Sequence, residues 1–261
     1  MEIDRKVAVV TGASSGIGQA VAESLGKLGL SVAVNYFKNK DGANAVAANI
    51  NQYGQAAIAL QADVSIDEQA QKLIINTFSE FGRIDYLVNN AGMTYFAEHG
   101  DLNAMTEDMW LDIYKVNVIG AFQVSRAASN YMRANGDGAI VNVSSIAGIT
   151  GAGSSIAYAA SKAALISVTK SLARSLSPEV RVNTVAPGFV DTPWWQKRPD
   201  YQNRLEAAKA TTMRDYVSGP EAIADTIVPL LVHNKYVTGE TIIVDGGTAL
   251  NNIATRYQRH A

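Results

Sequence analysis

The strand-like segments of this chain show no in/out alternation of apolar and polar residues. Short runs rich in β-branched or apolar residues are predicted as strands at Val7–Val10, Ser31–Asn35, Ala56–Gln61, Asp85–Asn89, Ala139–Val143, Arg181–Val185 and Thr241–Val244. A strand apolar on both sides belongs in a parallel sheet covered on both faces. Between these runs the spacing predicts helices at Gln19–Leu28, Asp41–Tyr53, Asp67–Phe81, Ala157–Leu176 and Pro220–His233. A further stretch, Thr106–Arg133, reads as one long helix or two joined ones. Strands alternating with helices imply right-handed βαβ units. The expected fold class is α/β: a doubly wound, seven-stranded parallel sheet with helices on both faces. It forms a single domain over residues 1–247, with residues 248–261 as a tail that frays or docks on a neighbouring subunit. Such a sheet binds ligands outside the carboxyl ends of its strands, at the switch point.

Composition narrows the function. The 261 residues contain no cysteine, which excludes disulfides, thiol nucleophiles and thiolate metal sites. The three histidines, His99, His233 and His260, have no metal-ligand spacing, and no G-x-S-x-G elbow is present. Zinc-dependent chemistry and a Ser-His-Asp hydrolase are therefore not expected. A net charge of −2 offers no basic face for nucleic acid. No apolar run is long enough to cross a bilayer. Met1 to Arg5 is short and charged and does not read as a secretory leader, so a cytoplasmic protein is expected.

One stretch breaks the alternation. Pro187–Val217 carries Trp194, Trp195, Tyr201 and three prolines, and is too long for a simple connection. It reads as a lid, over about residues 188–217.

The first strand runs into Thr11-Gly12-Ala13-Ser14-Ser15-Gly16-Ile17-Gly18 and then a helix. Gly12 permits a tight turn, and Gly16 and Gly18 allow close approach of backbone to a pyrophosphate. The helix start adds unpaired N–H groups and a positive dipole end. The alternative is a tight structural turn with no ligand. After the second strand comes Asn35-Tyr36-Phe37-Lys38-Asn39-Lys40. An acid at its end would bind the ribose 2′-hydroxyl of NAD and repel the 2′-phosphate of NADP. None stands there, at the position assigned to Tyr36, and Lys38 and Lys40 are near enough to neutralise a phosphate. NADP is favoured over NAD, with dual use as the alternative; equally, both lysines are ordinary solvated loop charges.

Further on, Tyr158-Ala159-Ala160-Ser161-Lys162 opens a predicted helix. A spacing of four puts Tyr158 and Lys162 on one face. Free tyrosine is only roughly one part in a thousand ionised at pH 7, and a nearby ammonium favours the phenolate. Tyr158 can then donate a proton to a carbonyl oxygen or accept one from an alcohol. Alone, the pair is also an ordinary surface contact. Asn142-Val143-Ser144-Ser145 ends the fifth strand, with Ser145 standing 13 residues before Tyr158.

The glycine string, Asn89-Asn90-Ala91-Gly92, the Ser145–Tyr158 spacing, Tyr158/Lys162, and Pro187-Gly188 together resemble the short-chain dehydrogenase/reductase family. The likeness extends from Lys6 to Gly247. It implies a Rossmann-type fold and an oxidoreductase that passes hydride between a nicotinamide and a carbonyl or secondary alcohol. It implies a catalytic tetrad of Asn117, Ser145, Tyr158 and Lys162, with Ser144 the runner-up for the serine and Asn117 at a break in the long helix. It also implies cofactor contacts from Gly12, Ser14, Ser15, Gly16, Ile17, Gly18, Tyr36, Phe37, Lys38, Asp63, Val64, Asn90, Ala91, Gly92, Tyr158, Lys162, Pro187, Gly188, Val190 and Thr192. Asp63 would meet the adenine amino group and Val64 the ring. The substrate pocket is expected from Met93, Ser145, Trp194 and Trp195, with Tyr95 and Phe96 nearby; the same aromatics are equally lid or interface packing. The partners implied are a small-molecule substrate and copies of the chain in a homotetramer. The chain is similar both to 3-oxoacyl-carrier-protein reductases and to glucose-dehydrogenase-like members. Asn135-Gly136-Asp137-Gly138 and Ser177-Pro178-Glu179 supply little basic charge for an acidic carrier, although Arg133 and Arg181 are close. A non-catalytic nucleotide sensor on the same fold is the remaining alternative.

Overall fold

A computed structural model describes residues 6–250. Seven strands, β1 (Val7–Val10), β2 (Ser31–Tyr36), β3 (Ala57–Gln61), β4 (Tyr86–Asn89), β5 (Gly138–Val143), β6 (Val180–Pro187) and β7 (Thr241–Val244), form one sheet. The order is β3-β2-β1-β4-β5-β6-β7, and every pairing is parallel. The chain reverses its direction of winding between β1 and β4, so the carboxyl ends of these two strands flank a crevice. Strands β1, β4, β5 and β6 are buried along their whole length. That is the two-sided burial which continuous apolar strands require.

Alternate side chains feed two cores. Ala8, Val10, Val32, Val34 and Tyr36 pack with α1 (Gly16–Lys27), α2 (Lys40–Gln52) and α10 (Pro220–Val232). Val9, Ala33, Leu87 and Ile140 pack on the other face with α3 (Asp67–Phe81), α5 (Ala121–Asn135) and α7 (Ile156–Leu176). Both cores are built mainly of Val, Ile, Leu and Ala.

Four elements depart from the sequence reading. Helix α1 starts at Gly16, inside the glycine turn, three residues before the apolar periodicity begins. The 106–133 stretch is α4 (Glu107–Tyr114), a π-helical turn (Lys115–Gly120) and α5. A short helix, α6 (Ala147–Thr150), follows β5 and packs so closely on α7 that a Cβ at Gly148 would lie 2.6 Å from the carbonyl carbon of Lys162. The 188–217 segment contains α8 (Pro193–Gln196) and α9 (Tyr201–Thr211). Most of the 248–261 tail lies outside the described residues. Among the described residues no helix is long and apolar enough to cross a membrane.

Candidate active site

The glycine turn has little room for side chains. Gly12 and Gly16 both have positive φ, at 61° and 59°. A Cβ at Gly12 would lie 2.9 Å from the Ala91 Cα, and one at Gly18 would lie 2.5 Å from both the Gly12 carbonyl oxygen and Asn90 Nδ2. Asn90 Nδ2 donates to the carbonyls of Thr11 and Gly12, and Thr11 Oγ1 accepts from the N–H groups of Asn90 and Ala91. The Asn-Asn-Ala-Gly segment and the glycine turn are thus one hydrogen-bonded unit across the switch point. Ser15, which precedes α1, makes no side-chain cap, so the first N–H groups of the helix are left to an external acceptor.

Asn35 holds the turn from the other side. Its Oδ1 accepts from the Gly12 N–H, and its Nδ2 reaches the carbonyls of Tyr36, Leu60 and Ala62. The sequence reading ends the second strand at Asn35, gives Asn35 no role and places the ribose-facing position at Tyr36. The Tyr36 ring instead packs into the apolar core with α1 and α2, because even-numbered positions of β2 face that layer. The expectation that Tyr36 faces the ligand cavity is corrected: Asn35, Phe37 and Lys38 line it and the Tyr36 ring does not.

Two cavities flank this unit. One, of about 540 Å³, is lined by Gly12, Ser14, Asn35, Phe37, Lys38 and Asn39 on one side. Asp63, Val64, Ala91, Gly92 and Met93 line its other side, with Asp112 and Lys115. Asp63 Oδ1 accepts from the backbone N–H and hydroxyl of Ser65, which fixes the carboxylate at the cavity wall. Met93 was expected in the substrate pocket. It lies in this first cavity instead, because its backbone is clamped to Asn117.

The second cavity, of about 370 Å³, contains the predicted reactive groups. Ser145, Tyr158 and Lys162 line it, together with Ile17, Asn90, Pro187, Gly188, Val190 and Thr192. Trp194 and Trp195 also line it. Thr192 stands across from Gly16: a Cβ there would touch the Thr192 side chain at 3.4 Å. The passage between the two therefore belongs to the glycine.

Tyr158 is positioned by a relay of hydrogen bonds. The Ser155 hydroxyl accepts from the Tyr158 N–H at 3.2 Å, capping α7 at the turn that carries it. Ser161 Oγ donates to the Tyr158 carbonyl and accepts from Asn117 Nδ2 at 3.0 Å. Asn117 also exchanges hydrogen bonds with both backbone groups of Met93. Its place in the π-helical turn gives the predicted break in the long helix a definite form, and such turns recur at functional sites. A Cβ at Gly92 would lie 3.4 Å from Asn117 Oδ1 and 3.6 Å from Lys162 Nζ, so both side chains border the same small space. Ser144 is engaged elsewhere. Its hydroxyl donates to the Lys162 carbonyl, whereas the Ser145 hydroxyl accepts from the Ala147 N–H and bonds the Tyr158 phenol.

Burial dominates the electrostatics. It pushes the Tyr158 phenol up to about 12, and a hydrogen bond from Ser145 offsets part of that. Burial likewise lowers Lys162 to about 8. The Lys162 ammonium donates to the Val143 carbonyl at 2.8 Å and sits 5.6 Å from the centre of the Tyr158 ring. The hydrogen bond from Ser145 acts on the Tyr158 phenol in the opposite sense to burial and favours its ionised form.

Comparison with known proteins accords with this arrangement. Residues 12–249 match the family model described as enoyl-(acyl carrier protein) reductase. The chain is 41% identical over 244 residues to a Streptomyces violaceoruber protein assigned as ketoacyl reductase 2 of the granaticin polyketide synthase. That match covers 94% of this chain and 96% of the relative. It is 38% identical to a 3-oxoacyl-[acyl-carrier-protein] reductase from Synechocystis, over 94% of this chain and 97% of that one. A crystal structure assigned as a short-chain dehydrogenase/reductase from Burkholderia xenovorans superimposes with a TM-score of 0.88 at 36% identity. It covers 94% of this chain and 98% of that one. The chain is an oxidoreductase of the short-chain dehydrogenase/reductase family.

Proposed function

We propose that this enzyme interconverts a carbonyl compound and a secondary alcohol with NADP(H), using Tyr158 as the general acid and base. The observation that carries the reading is the convergence of Ser145, Tyr158 and Lys162 on one cavity that shares a floor, at Asn90 to Gly92, with the glycine turn. The crowding at Gly12 and Gly18 and the uncapped start of α1 suit a dinucleotide pyrophosphate. Asp63 and Val64 would hold the adenine. Phe37 and Lys38, with no acid beside them at the end of β2, favour a 2′-phosphate over a free hydroxyl. Bound nicotinamide would supply the hydride and, when oxidised, a positive charge near the reacting groups.

The chain's own groups manage the proton and the substrate oxygen. The Ser145 hydroxyl would hold the substrate oxygen and stabilise charge that develops there. Tyr158 would deliver its phenolic proton to that oxygen during reduction. Lys162 and Asn117, bordering the space beside Gly92, would return the proton through water. Trp194 and Trp195 form the side walls for the substrate body.

A second reading, a 3-oxoacyl thioester reductase, is favoured by the assigned activities of the relatives. Of the two arginines near the expected carrier face, Arg133 is exposed. Arg181 is buried, its guanidinium spent on the carbonyls of Leu230, Leu231 and Asn234. A homotetramer accords with the exposed apolar side chains Leu111, Ile119 and Phe122 along α4 and α5.

The test is turnover of ketones, sugars and acyl thioesters with NADPH and NADH, followed at 340 nm, in wild type and Tyr158→Phe. The variant is expected to lose about 10²–10⁴-fold in kcat while still binding NADPH. Unchanged turnover in the variant refutes the role of Tyr158. A strong preference for NADH refutes the reading of Phe37 and Lys38.

A further inference from the structure

The lid brings one charged group into the catalytic cavity that has no part in the proton chemistry. Arg204, on α9, lines the cavity beside Trp194 and Trp195. Lys162 is the other cation in the lining, and no carboxylate is present there. A wall of apolar and aromatic groups with two cations and no acid is poorly matched to a cationic substrate and well matched to an anionic one.

Arg204 is held but not saturated. Its Nε donates to Asp200 Oδ2 at 2.6 Å, one helical turn away, while its two Nη groups have no hydrogen-bond partner among the described residues. Asp200 is shared with Arg198, whose Nε and Nη2 grip both carboxylate oxygens. The two arginines hold the Asp200 carboxyl well below the usual carboxylate range. One carboxylate between two guanidinium groups leaves a positive charge over. Arg198 is further committed to the Phe96 ring, with its Cζ 3.7 Å from the ring centre. The uncommitted donors are thus those of Arg204. Exposed Glu98 lies with both arginines on an outer pocket, but it does not reach the catalytic cavity and pairs with neither.

The neighbouring rings indicate the body of the ligand. Phe189 and Trp195 stack with centres 4.8 Å apart at 20°, and the Arg204 Cζ lies 5.8 Å from the Trp195 centre. A flat or slender apolar group fits along that wall, and Arg204 offers a two-pronged donor at its far end.

We propose that Arg204 is a substrate-recognition residue, and that the preferred substrates carry a carboxylate on the side of an apolar body remote from the reacting carbonyl. The inference rests on the reading of the cavity as a carbonyl-reducing site. It is tested with 4-acetylbenzoate and 4-acetylbenzamide, a pair that differs in charge and little in shape. Wild type is expected to favour the acid about tenfold in kcat/KM, expressed mainly in KM. In Arg204→Gln the acid-to-amide ratio should fall to about one, and Arg204→Lys should retain an intermediate ratio. Equal use of acid and amide by wild type overturns the proposal, as does an undiminished preference in Arg204→Gln. Acetoacetyl-pantetheine with and without its 4′-phosphate forms a second pair. A charge preference confined to this pair assigns Arg204 to a carrier-arm phosphate and overturns the carboxylate assignment. Quenching of tryptophan fluorescence by 4-acetylbenzoate, with NADP present, separates recognition from turnover. If no ketone is reduced but the quenching weakens about tenfold in Arg204→Gln, the reaction assignment fails and the recognition assignment stands.

Discussion

Lys162 is a buried amine that donates to the Val143 carbonyl, and this gives it a testable signature. In an unfolded chain a lysine titrates near 10.4, whereas burial brings Lys162 down to about 8 in the folded protein. Between those values the unfolded chain binds the proton and the folded protein does not. Wild-type stability contributed by this group therefore rises with pH through that window, and below pH 8 the full cost of the buried ammonium is carried. Lys162→Met removes the titration. Urea denaturation of both proteins at pH 7 and pH 10 should show wild type gaining about 2 kcal/mol relative to the variant at the higher pH. Spacing put Tyr158 and Lys162 on one helical face, and the family resemblance singled out that pair and Ser145 in the sequence. Arg204 was not legible. It comes from a segment without strong periodicity, and its place in the cavity depends on how α9 folds back.

At the scale of elements, the π-helical turn decides where Asn117 sits. The sequence supplied Lys-Val-Asn-Val inside a long helical stretch and left one helix or two open. The close approach of Gly120 to Val64, where a Cβ would lie 2.9 Å from the valine side chain, locks the end of the turn against the loop after β3. The turn presents Asn117 to Met93 and Ser161 together. Asn117→Ala would leave the Met93 backbone groups and the Ser161 hydroxyl without this partner in a buried place. Equilibrium urea unfolding should report a loss of about 2–4 kcal/mol. The kcat should fall with it, because the same bonds set the start of the Tyr158 helix.

Across the whole molecule, the site is tied to the sheet by a buried polar chain. Asn89 Nδ2 donates to Asn142 Oδ1 and to Ser125 Oγ, linking β4 to β5 and α5. Asn142 Nδ2 donates to Thr169 Oγ1 on α7, which also accepts from Thr184 Oγ1 on β6. All these residues are buried. The chain fixes the spacing between α7, which carries Tyr158 and Lys162, and three strands of the sheet. Asn142→Leu should cost about 3 kcal/mol or more, since it strands partners on two sides at once, and a thermal melt should show a single lowered transition. The alternating strand and helix segments predicted the sheet and its parallel sense, because two-sided burial leaves a direct trace in composition. They carried no trace of this cross-links' geometry, which joins residues from five elements distant in the chain.

By itself the sequence determined the doubly wound sheet and the glycine turn, and it put Tyr158 and Lys162 on one helical face. These follow from local periodicity, from backbone freedom at glycine and from fixed spacings on single elements. Only the tertiary structure decided which face of β2 meets the first cavity, replacing Tyr36 by Asn35. It also put Met93 in that first cavity and Arg204 in the cavity that holds Ser145, Tyr158 and Lys162. Those outcomes turn on side-chain direction and on contacts between distant segments, which a linear pattern does not encode.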